Sequence, residues 1–169
     1  MLKFNNISDF EDYALDLLKA KKYKTFSSLD SLQNNINYEK NEKYVVINKN
    51  RTNLSISVYS KQNCTFVYCD NNINVPSYIS LYYYLGYYYI NSIFYMVKGK
   101  YHRPFQPAIL TFNNQGLKSE SYYLNGRLHN SVAPAYRNKE NNIWSYCFYL
   151  NGKYFSKNEF FRNRKDINF

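Results

Sequence analysis

The spacing of apolar residues changes along the chain, and this spacing predicts which segments are helical and which are extended. In residues 8–22 the apolar side chains recur at helical intervals and form one stripe. That stripe consists of Phe10, Tyr13, Ala14, Leu17 and Leu18. Ser8 and Glu11 match a capping box at its start, and lysines follow at its end. The pattern predicts a helix over 8–22 that packs on a sheet, although a partner-binding helix would look the same.

Shorter periods dominate the next stretch. Residues 28–34 predict a second short helix, and the polar residues 34–42 predict a loop. Strands are predicted at 44–48, 54–59 and 64–69, the second of which alternates strictly between apolar and polar side chains. Asn and Ser in the gaps suit turns, so these strands predict an antiparallel meander.

The tyrosine-rich segment that begins near Pro76 supports two interpretations. Pro76 near a helix start and Gly86 just past a helix end favour a helix over 77–85. Two runs of three consecutive tyrosines favour strands instead. Both interpretations stay open, and a strand is predicted at 94–97.

The C-terminal half contains an internal repeat with an offset of 27 residues. Gly99, His102, Pro107 and Ala108 recur as Gly126, His129, Pro134 and Ala135. A third copy begins at Gly152, but Phe155 stands where the histidine would be. Because a repeat distributes residues over an architecture, we expect structural roles for Gly99, His102, Pro107, Gly126, His129, Pro134 and Gly152.

Turn chemistry predicts how each repeat folds. Asn125-Gly126 and Asn151-Gly152 predict type I′ hairpin turns, because both central residues must take positive φ. Longer turns are predicted at 113–116 and 138–142. Between the turns, strands are predicted at 108–112, 119–124, 135–137 and 144–150.

These elements predict an α+β fold that is mostly antiparallel β, with an N-terminal helix on a β meander and C-terminal β-hairpin repeats. Residues 1–75 form the helix and meander region, and residues 76–161 form the tyrosine-rich segment and the hairpins. Residues 162–169 are predicted as a frayed basic tail. At 169 residues, the chain is expected to form one compact unit.

The repeat pattern Tyr-x-Asn-Gly-x-x-His-x4-Pro-Ala resembles the variant MORN-type repeat of bacteriophage and large-virus proteins, over residues 94–154. The usual consensus runs roughly Asn-Gly-x-x-His-Arg-x-Asp-Gly-Pro-Ala. Phe105-Gln106 and Val132-Ala133 replace its Asp-Gly. The resemblance implies stacked β-hairpins in a small phage- or virus-encoded binding protein, and it implies no reaction.

Charge is distributed unevenly. Residues 1–70 carry 10 Lys/Arg against 8 Asp/Glu, whereas residues 71–169 carry 12 against 4. A basic half attracts an anionic partner, which can be nucleic acid, a membrane surface or an acidic protein face. Nine of the 21 tyrosines fall between residues 78 and 101. They fit a packed core, a protein interface or a base-stacking surface.

No motif predicts a reaction. The chain has no Gly-x-Ser-x-Gly elbow, phosphate-cradling glycine loop or His-Glu-x-x-His motif, and acidic residues are sparse in its basic half. We therefore expect no catalytic residue, no metal site, no cofactor and no enzyme activity. The preferred interpretation of His102 and His129 is that each ring hydrogen-bonds a neighbouring turn, with partner contact and catalysis as alternatives.

Cysteine usage and hydropathy bear on location. Cys64, Cys69 and Cys147 lack any Cys-x-x-Cys spacing and are interpreted as reduced thiols. The sequence has no uncharged apolar run of 18 residues and no apolar signal-peptide core at its N-terminus. We therefore expect a cytoplasmic protein, in the host cell if phage-encoded, with no membrane partner.

These observations favour a phage protein that binds a host protein or ribonucleoprotein and inhibits it by occlusion, as an anti-CRISPR protein inhibits a defence nuclease. Some nonspecific nucleic-acid binding is expected from the charge. The alternatives are a direct nucleic-acid-binding protein and an uncharacterised hydrolase or nuclease. The predicted contact residues lie near the repeat turns and are Arg103, Arg127, Arg137, Lys153, Tyr101 and Tyr136.

Overall fold

The computed structural model describes residues 3–19, 21, 23–34, 43–49, 53–62, 65–68, 75–85 and 87–163. The helices within them are α1 (Ile7–Leu17), α2 (Leu29–Gln33) and α3 (Lys157–Asn163). The strands of the N-terminal part are β1 (Lys3–Phe4), β2 (Lys24–Phe26), β3 (Lys43–Lys49), β4 (Asn53–Gln62), β5 (Thr65–Tyr68), β6 (Tyr78–Tyr84) and β7 (Tyr87–Phe94). Those of the repeat region are β8 (Met96–Val97), β9 (Lys100–Tyr101), β10 (Ile109–Asn113), β11 (Gly116–Ser121), β12 (Tyr123–Leu124), β13 (Arg127–Leu128), β14 (Tyr136–Glu140), β15 (Ile143–Leu150) and β16 (Lys153–Phe155).

One twelve-stranded sheet forms the framework, in the order β16-β15-β14-β11-β10-β7-β6-β4-β3-β2. Strand β5 pairs with β4, and β1 pairs with β7. The pairings are antiparallel except for the parallel pair β2 and β3. The predicted meander is confirmed as β3, β4 and β5, and the mostly antiparallel β character is confirmed with it. Because β4 also pairs with β6, the sheet continues from the meander region into the repeat region.

Helix α1 covers one face of the sheet. Phe10, Ala14 and Leu18 are fully buried against meander side chains such as Ile56 and Val58, as the apolar stripe predicts. Burying a side chain of the size of leucine or phenylalanine contributes about 1.5–3 kcal/mol, so this contact is a main source of stability.

The predicted ends of this helix, 8–22, are wrong at both sides. Asn6, not Ser8, is the N-cap, because its side-chain Oδ1 accepts a hydrogen bond from the Asp9 N–H at 2.9 Å. Its Nδ2 also donates to Asp9 Oδ2 at 2.9 Å, which favours the earlier start. The helix ends at Leu17, and Lys19 takes a left-handed φ of +50° that cannot continue it.

Helix α2 covers part of the opposite face. Ser28 caps it, as the sequence predicts, by accepting a hydrogen bond from the Ser31 N–H at 3.0 Å. Leu32 packs on Tyr44 and Val46, whose side chains alternate with those that face α1. The predicted loop beyond Asn34 falls on 35–42, and these residues lie outside the described residues, as do Cys64 and Cys69.

The helical interpretation of 77–85 is wrong, because this segment forms strand β6 and is followed directly by β7. Ile79 and Leu81 are buried on the α1 face, and Ser80 between them points to the other face. Tyr82 lies opposite Tyr89 with ring centroids 5.7 Å apart. Period-two burial and cross-strand aromatic pairs therefore override the local proline and glycine signals.

A row of small polar side chains crosses the face of the sheet opposite α1. Its members lie directly opposite one another on eight successive strands and are Asn48, Ser55, Ser80, Ser92, Thr111, Ser119, Asn138 and Ser145. Several of the hydroxyls pair with each other. The Ser80 and Ser92 Oγ atoms are 2.7 Å apart, and Thr111 Oγ1 lies 2.6 Å from Ser119 Oγ. The row is thus a self-satisfied polar seam in the sheet.

Two predicted repeat turns are shorter than expected. Asn113 and Gly116 belong to strands β10 and β11, so the turn between them is reduced to two residues. Strand β14 runs on to Glu140, and Asn141 and Asn142 make the next turn with φ of +48° and +64°. Asparagine tolerates positive φ, which lets two residues close a hairpin where five were predicted.

The predicted tail begins too early, because Arg162 lies in helix α3. Ser156 and Glu159 form a capping box in which the Ser156 N–H donates to Glu159 Oε2 at 2.8 Å. Ser156 Oγ accepts from the Glu159 N–H at 3.3 Å. Phe160 is fully buried against Phe148, which fixes the helix to strand β15. The remaining tail, 164–169, lies outside the described residues.

Candidate functional site

Three hairpin turns of one type project from the repeat region. In each turn two consecutive residues have positive φ: +50° and +70° at Lys98-Gly99, +52° and +82° at Asn125-Gly126, and +50° and +84° at Asn151-Gly152. Two positive φ angles in a two-residue turn define type I′, so the turn predictions at the two Asn-Gly pairs are confirmed. Three copies of the same local geometry therefore present their tips in register.

Each histidine holds the turn of the hairpin that follows it. His102 Nδ1 accepts a hydrogen bond from the Asn125 N–H at 3.1 Å, and His129 Nδ1 accepts one from the Asn151 N–H at 3.0 Å. Because a backbone N–H can only donate, Nδ1 is the unprotonated nitrogen in both rings. Burial lowers the pKa of His129, and an interaction with Asn151 opposes this shift only in part. Both rings therefore act as neutral acceptors inside the array.

The chain leaves the large sheet at equivalent points in successive repeats. The predicted strands 94–97 and 119–124 are each interrupted, at Tyr95 and at Tyr122. The Tyr95 N–H donates to the Ala108 carbonyl at 2.8 Å, and the Tyr122 N–H donates to the Ala135 carbonyl at 2.7 Å. Both alanines are fully buried, so a larger side chain there would separate the hairpin from the sheet.

Arg103 belongs to the framework of its loop. Its Nη1 donates to the Pro107 carbonyl at 3.3 Å, and Asn130 makes the equivalent bond to the Pro134 carbonyl at 3.3 Å in the next repeat. The guanidinium also stacks 3.7 Å from the centre of the Tyr95 ring. Since a neutral asparagine occupies the same position in the second copy, the geometry gives Arg103 a structural role in place of the predicted contact role.

Three other predicted contact residues are also engaged within the fold. Arg137 pairs with the buried Glu120, and this partner raises the pKa of the arginine. Tyr101 packs on Tyr123 with ring centroids 5.2 Å apart, beside the main core. Tyr136 is half-buried in strand β14.

Arg127 and Lys153 remain exposed, and the structure brings them together with Lys100, which the sequence analysis did not single out. These three residues follow the glycines of the three turns, and we call them the tip row. The Lys100 side chain lies over Gly126, since a Cβ added to that glycine would be 3.4 Å from Lys100 Cβ. Arg127 lies over Gly152 in the same way, at 3.6 Å. The row is therefore regular.

Beside the tips lies an exposed apolar surface that sequence reasoning missed. Phe105 is 94% exposed and has a φ of +63°, which is rare for a bulky residue. Its loop and the loop of Val132 enclose a groove of about 310 Å³. Val132 also lines a second groove of about 740 Å³. We call the exposed apolar side chains along these grooves the apolar crest: Phe105, Val132, Tyr146, Tyr154 and Phe161.

One signal in the sequence pointed to the crest. Phe105 stands where the resembling repeat has the aspartate of its Asp-Gly turn, and a phenylalanine in a turn position has no structural advantage there. The crest also depends on the second loop, in which Asn130 Oδ1 accepts hydrogen bonds from the N–H groups of Val132 and Ala133 at 3.0 and 3.2 Å. This turn presents Val132 beside Phe105 without positive φ.

Two further findings concern the described residues as a whole. Among them, no three His, Cys, Asp or Glu side chains converge to hold a metal ion. None of the described helices has the length and apolar character needed to cross a membrane. In comparisons with known proteins, no family model, no curated protein and no solved structure matches this chain.

Proposed function

We propose that this chain is a non-enzymatic binding protein that inhibits a host macromolecular machine by occlusion. The observation that supports the proposal best is the apolar crest, and within it Phe105. A left-handed backbone costs an ordinary residue about 1–2 kcal/mol, and the exposed ring gains almost no burial in return. Backbone strain of this kind is typical of functional sites, where a partner uses the side chain that it presents.

The composition of the crest suits a protein surface as its partner. Aromatic side chains supply large rigid contact areas, and interfaces concentrate their binding energy in a few such residues seated in pockets. Tyr146 and Tyr154 are 52% and 60% exposed beside the larger groove, whereas scattered single residues would not form a groove. A partner that inserts a side chain between Phe105 and Val132 would bury both.

The surroundings of the titratable groups support binding over catalysis. Both histidines use Nδ1 to accept a hydrogen bond from a turn, and Glu120 is held by Arg137. A general acid or base needs a free position within reach of a substrate. These groups are instead engaged in the framework of the hairpins.

The source and the target class rest on analogy. The likeness of the repeat to those of phage proteins supports a phage origin, and small phage proteins without catalytic motifs act by blocking a host machine. A defence nuclease is the target class that we propose, since its nucleic acid would also suit a basic surface. The second candidate is direct binding of nucleic acid, and the tip row favours it.

A capture experiment tests the protein-binding proposal. Immobilised chain is incubated with bacterial lysate, with and without nuclease, and compared with Phe105→Asn and with Ile143→Asn as the matched control. Ile143 is 73% exposed but begins strand β15, away from the crest. We expect wild type and the control to retain a host protein after nuclease treatment, and Phe105→Asn to retain at least about 10-fold less, as for a hot-spot residue.

The retained protein is then assayed for its own activity with and without added chain. Inhibition that needs Phe105 but not Ile143 supports occlusion. Capture that vanishes with nuclease, or that survives unchanged in Phe105→Asn, contradicts the proposal and favours the second candidate.

A further inference from the structure

We infer that the tip row, Lys100, Arg127 and Lys153, binds the phosphate backbone of a single-stranded nucleic acid. This deepens the proposed function, because it assigns the nucleic-acid part of a ribonucleoprotein partner. The argument rests on three properties of the row: its regular spacing, its uncompensated charge and its position beside the apolar crest.

The spacing follows from the way in which the hairpins join. The Gly126 N–H donates to the Tyr101 carbonyl at 2.8 Å, which links strand β9 to the next hairpin. The Gly152 N–H donates to the Leu128 carbonyl at 2.8 Å, which links β13 to the third. One cation is therefore two strand spacings from the next, or about 9.5 Å. Three cations span about 19 Å on this geometry.

The charge of the row is largely uncompensated. Between residues 94 and 158 the only acidic residues are Glu120 and Glu140. Glu120 pairs with Arg137, and Glu140 accepts a hydrogen bond from the Asn138 side chain at 3.0 Å. Within the described residues, neither Lys100 nor Arg127 forms an ion pair.

Lys153 differs in having an acid near it. Its charge contributes to lowering the pKa of Glu159, although hydrogen bonds with Ser156 are the larger cause. Its Nζ lies 5.3 Å from the centre of the Phe155 ring, a weak contact for an exposed cation. Lys153 therefore keeps a positive charge at the surface that a phosphate can contact.

The row suits a flexible strand better than a duplex. Neighbouring β-strands are rotated by roughly 20–25°, so the three tips turn progressively along the row. A single strand can adjust its backbone to such a path, whereas phosphates of a rigid duplex are fixed in place. Leu124 lies directly opposite Arg127 and also lines the 310 Å³ groove, so the row and the crest open on the same side of the hairpin. One ribonucleoprotein can therefore contact both.

The test measures salt-dependent binding of a fluorescein-labelled 20-nucleotide oligouridine by anisotropy, from 50 to 200 mM NaCl. The triple variant Lys100→Ser/Arg127→Ser/Lys153→Ser removes the row. The matched control Lys118→Ser/Lys157→Ser/Arg162→Ser removes three exposed cations of the same basic half and leaves the same net charge. Circular dichroism melts establish that both fold.

If three phosphate contacts are lost, the slope of log K against log salt should become shallower by about 2, since each contact on a single strand contributes about 0.7. The control should keep the slope of wild type. Equal losses in both triples would show an effect of net charge alone and overturn the inference. Should the row triple fail to fold, Arg127→Ser alone is expected to reduce the slope by about 0.7.

Three further arms identify the ligand. Single-stranded DNA of equal length that depends on the row in the same way supports a backbone contact. A duplex that binds as tightly as the single strand, or poly-glutamate that displaces the RNA at equal charge, overturns the assignment to single-stranded nucleic acid. Phe105→Asn should bind the RNA as wild type does, so failure of this inference leaves the lysate capture result standing.

Discussion

Replacing Phe105 with asparagine should stabilise the fold, although it removes the largest side chain of its loop. The ring is 94% exposed, so the burial that is lost accounts for only about 0.1–0.2 kcal/mol. The left-handed φ of +63° costs phenylalanine about 1–2 kcal/mol, and asparagine adopts this region far more readily. We expect the free energy of unfolding to rise by about 0.5–1.5 kcal/mol, or roughly 1–6 °C in Tm for a chain of this length.

Urea denaturation followed by circular dichroism measures this change, with Gln106→Asn as the control. Gln106 is exposed in the same loop and has no positive φ, so its substitution should stay within about 0.5 kcal/mol of wild type. A Phe105→Asn protein that is less stable than wild type would refute the reasoning, because the ring would then have to make contacts that its exposure denies. A stabilised variant that no longer captures its partner would show that the strain is kept for binding.

Two more predictions concern the turns and the histidines that hold them. Gly126→Val should lower the free energy of unfolding by about 1–2 kcal/mol, because its φ is +82° and valine resists that region, whereas Gly126→Asn should cost much less; equal melting temperatures would contradict the turn geometry. His129 should make the protein less stable as pH falls from about 7 to 5, since burial lowers its pKa in the fold and the unfolded chain, with a pKa near 6.5, takes up the proton first. The loss should begin near pH 6.5 and be smaller in His129→Gln, and parallel pH curves for the two proteins would contradict it.

Local chemistry made part of the fold predictable. The Asn-Gly turns follow from the φ angles that these two residues tolerate, whatever surrounds them. The stripe of helix α1 follows from the 3.6-residue period, and Ser28 caps α2 as expected. Helix α3 carried an equally local signal in Ser156 and Glu159 that the sequence analysis did not use.

Features that depend on pairing between distant strands could not be predicted in this way. Pro76 and Gly86 are genuine local signals for a helix, but the burial of Ile79 between β4 and β7 decides for a strand. The polar seam exists only once the register of eight strands is fixed. The crest likewise needs two loops, 27 residues apart, to be brought side by side.

Phe155 gives the array of hairpins an end. His102 and His129 each need a backbone N–H from a turn that comes later in the chain, so each copy is complete only when another follows. Phe155 makes no such demand and packs against the cluster of Phe148 and Phe160 instead. The array thus resembles a polymer whose last monomer lacks the group needed for growth. Copy number then becomes an evolutionary variable: one more histidine-bearing copy, inserted before the last, would lengthen the surface by about 9.5 Å and leave its end unchanged.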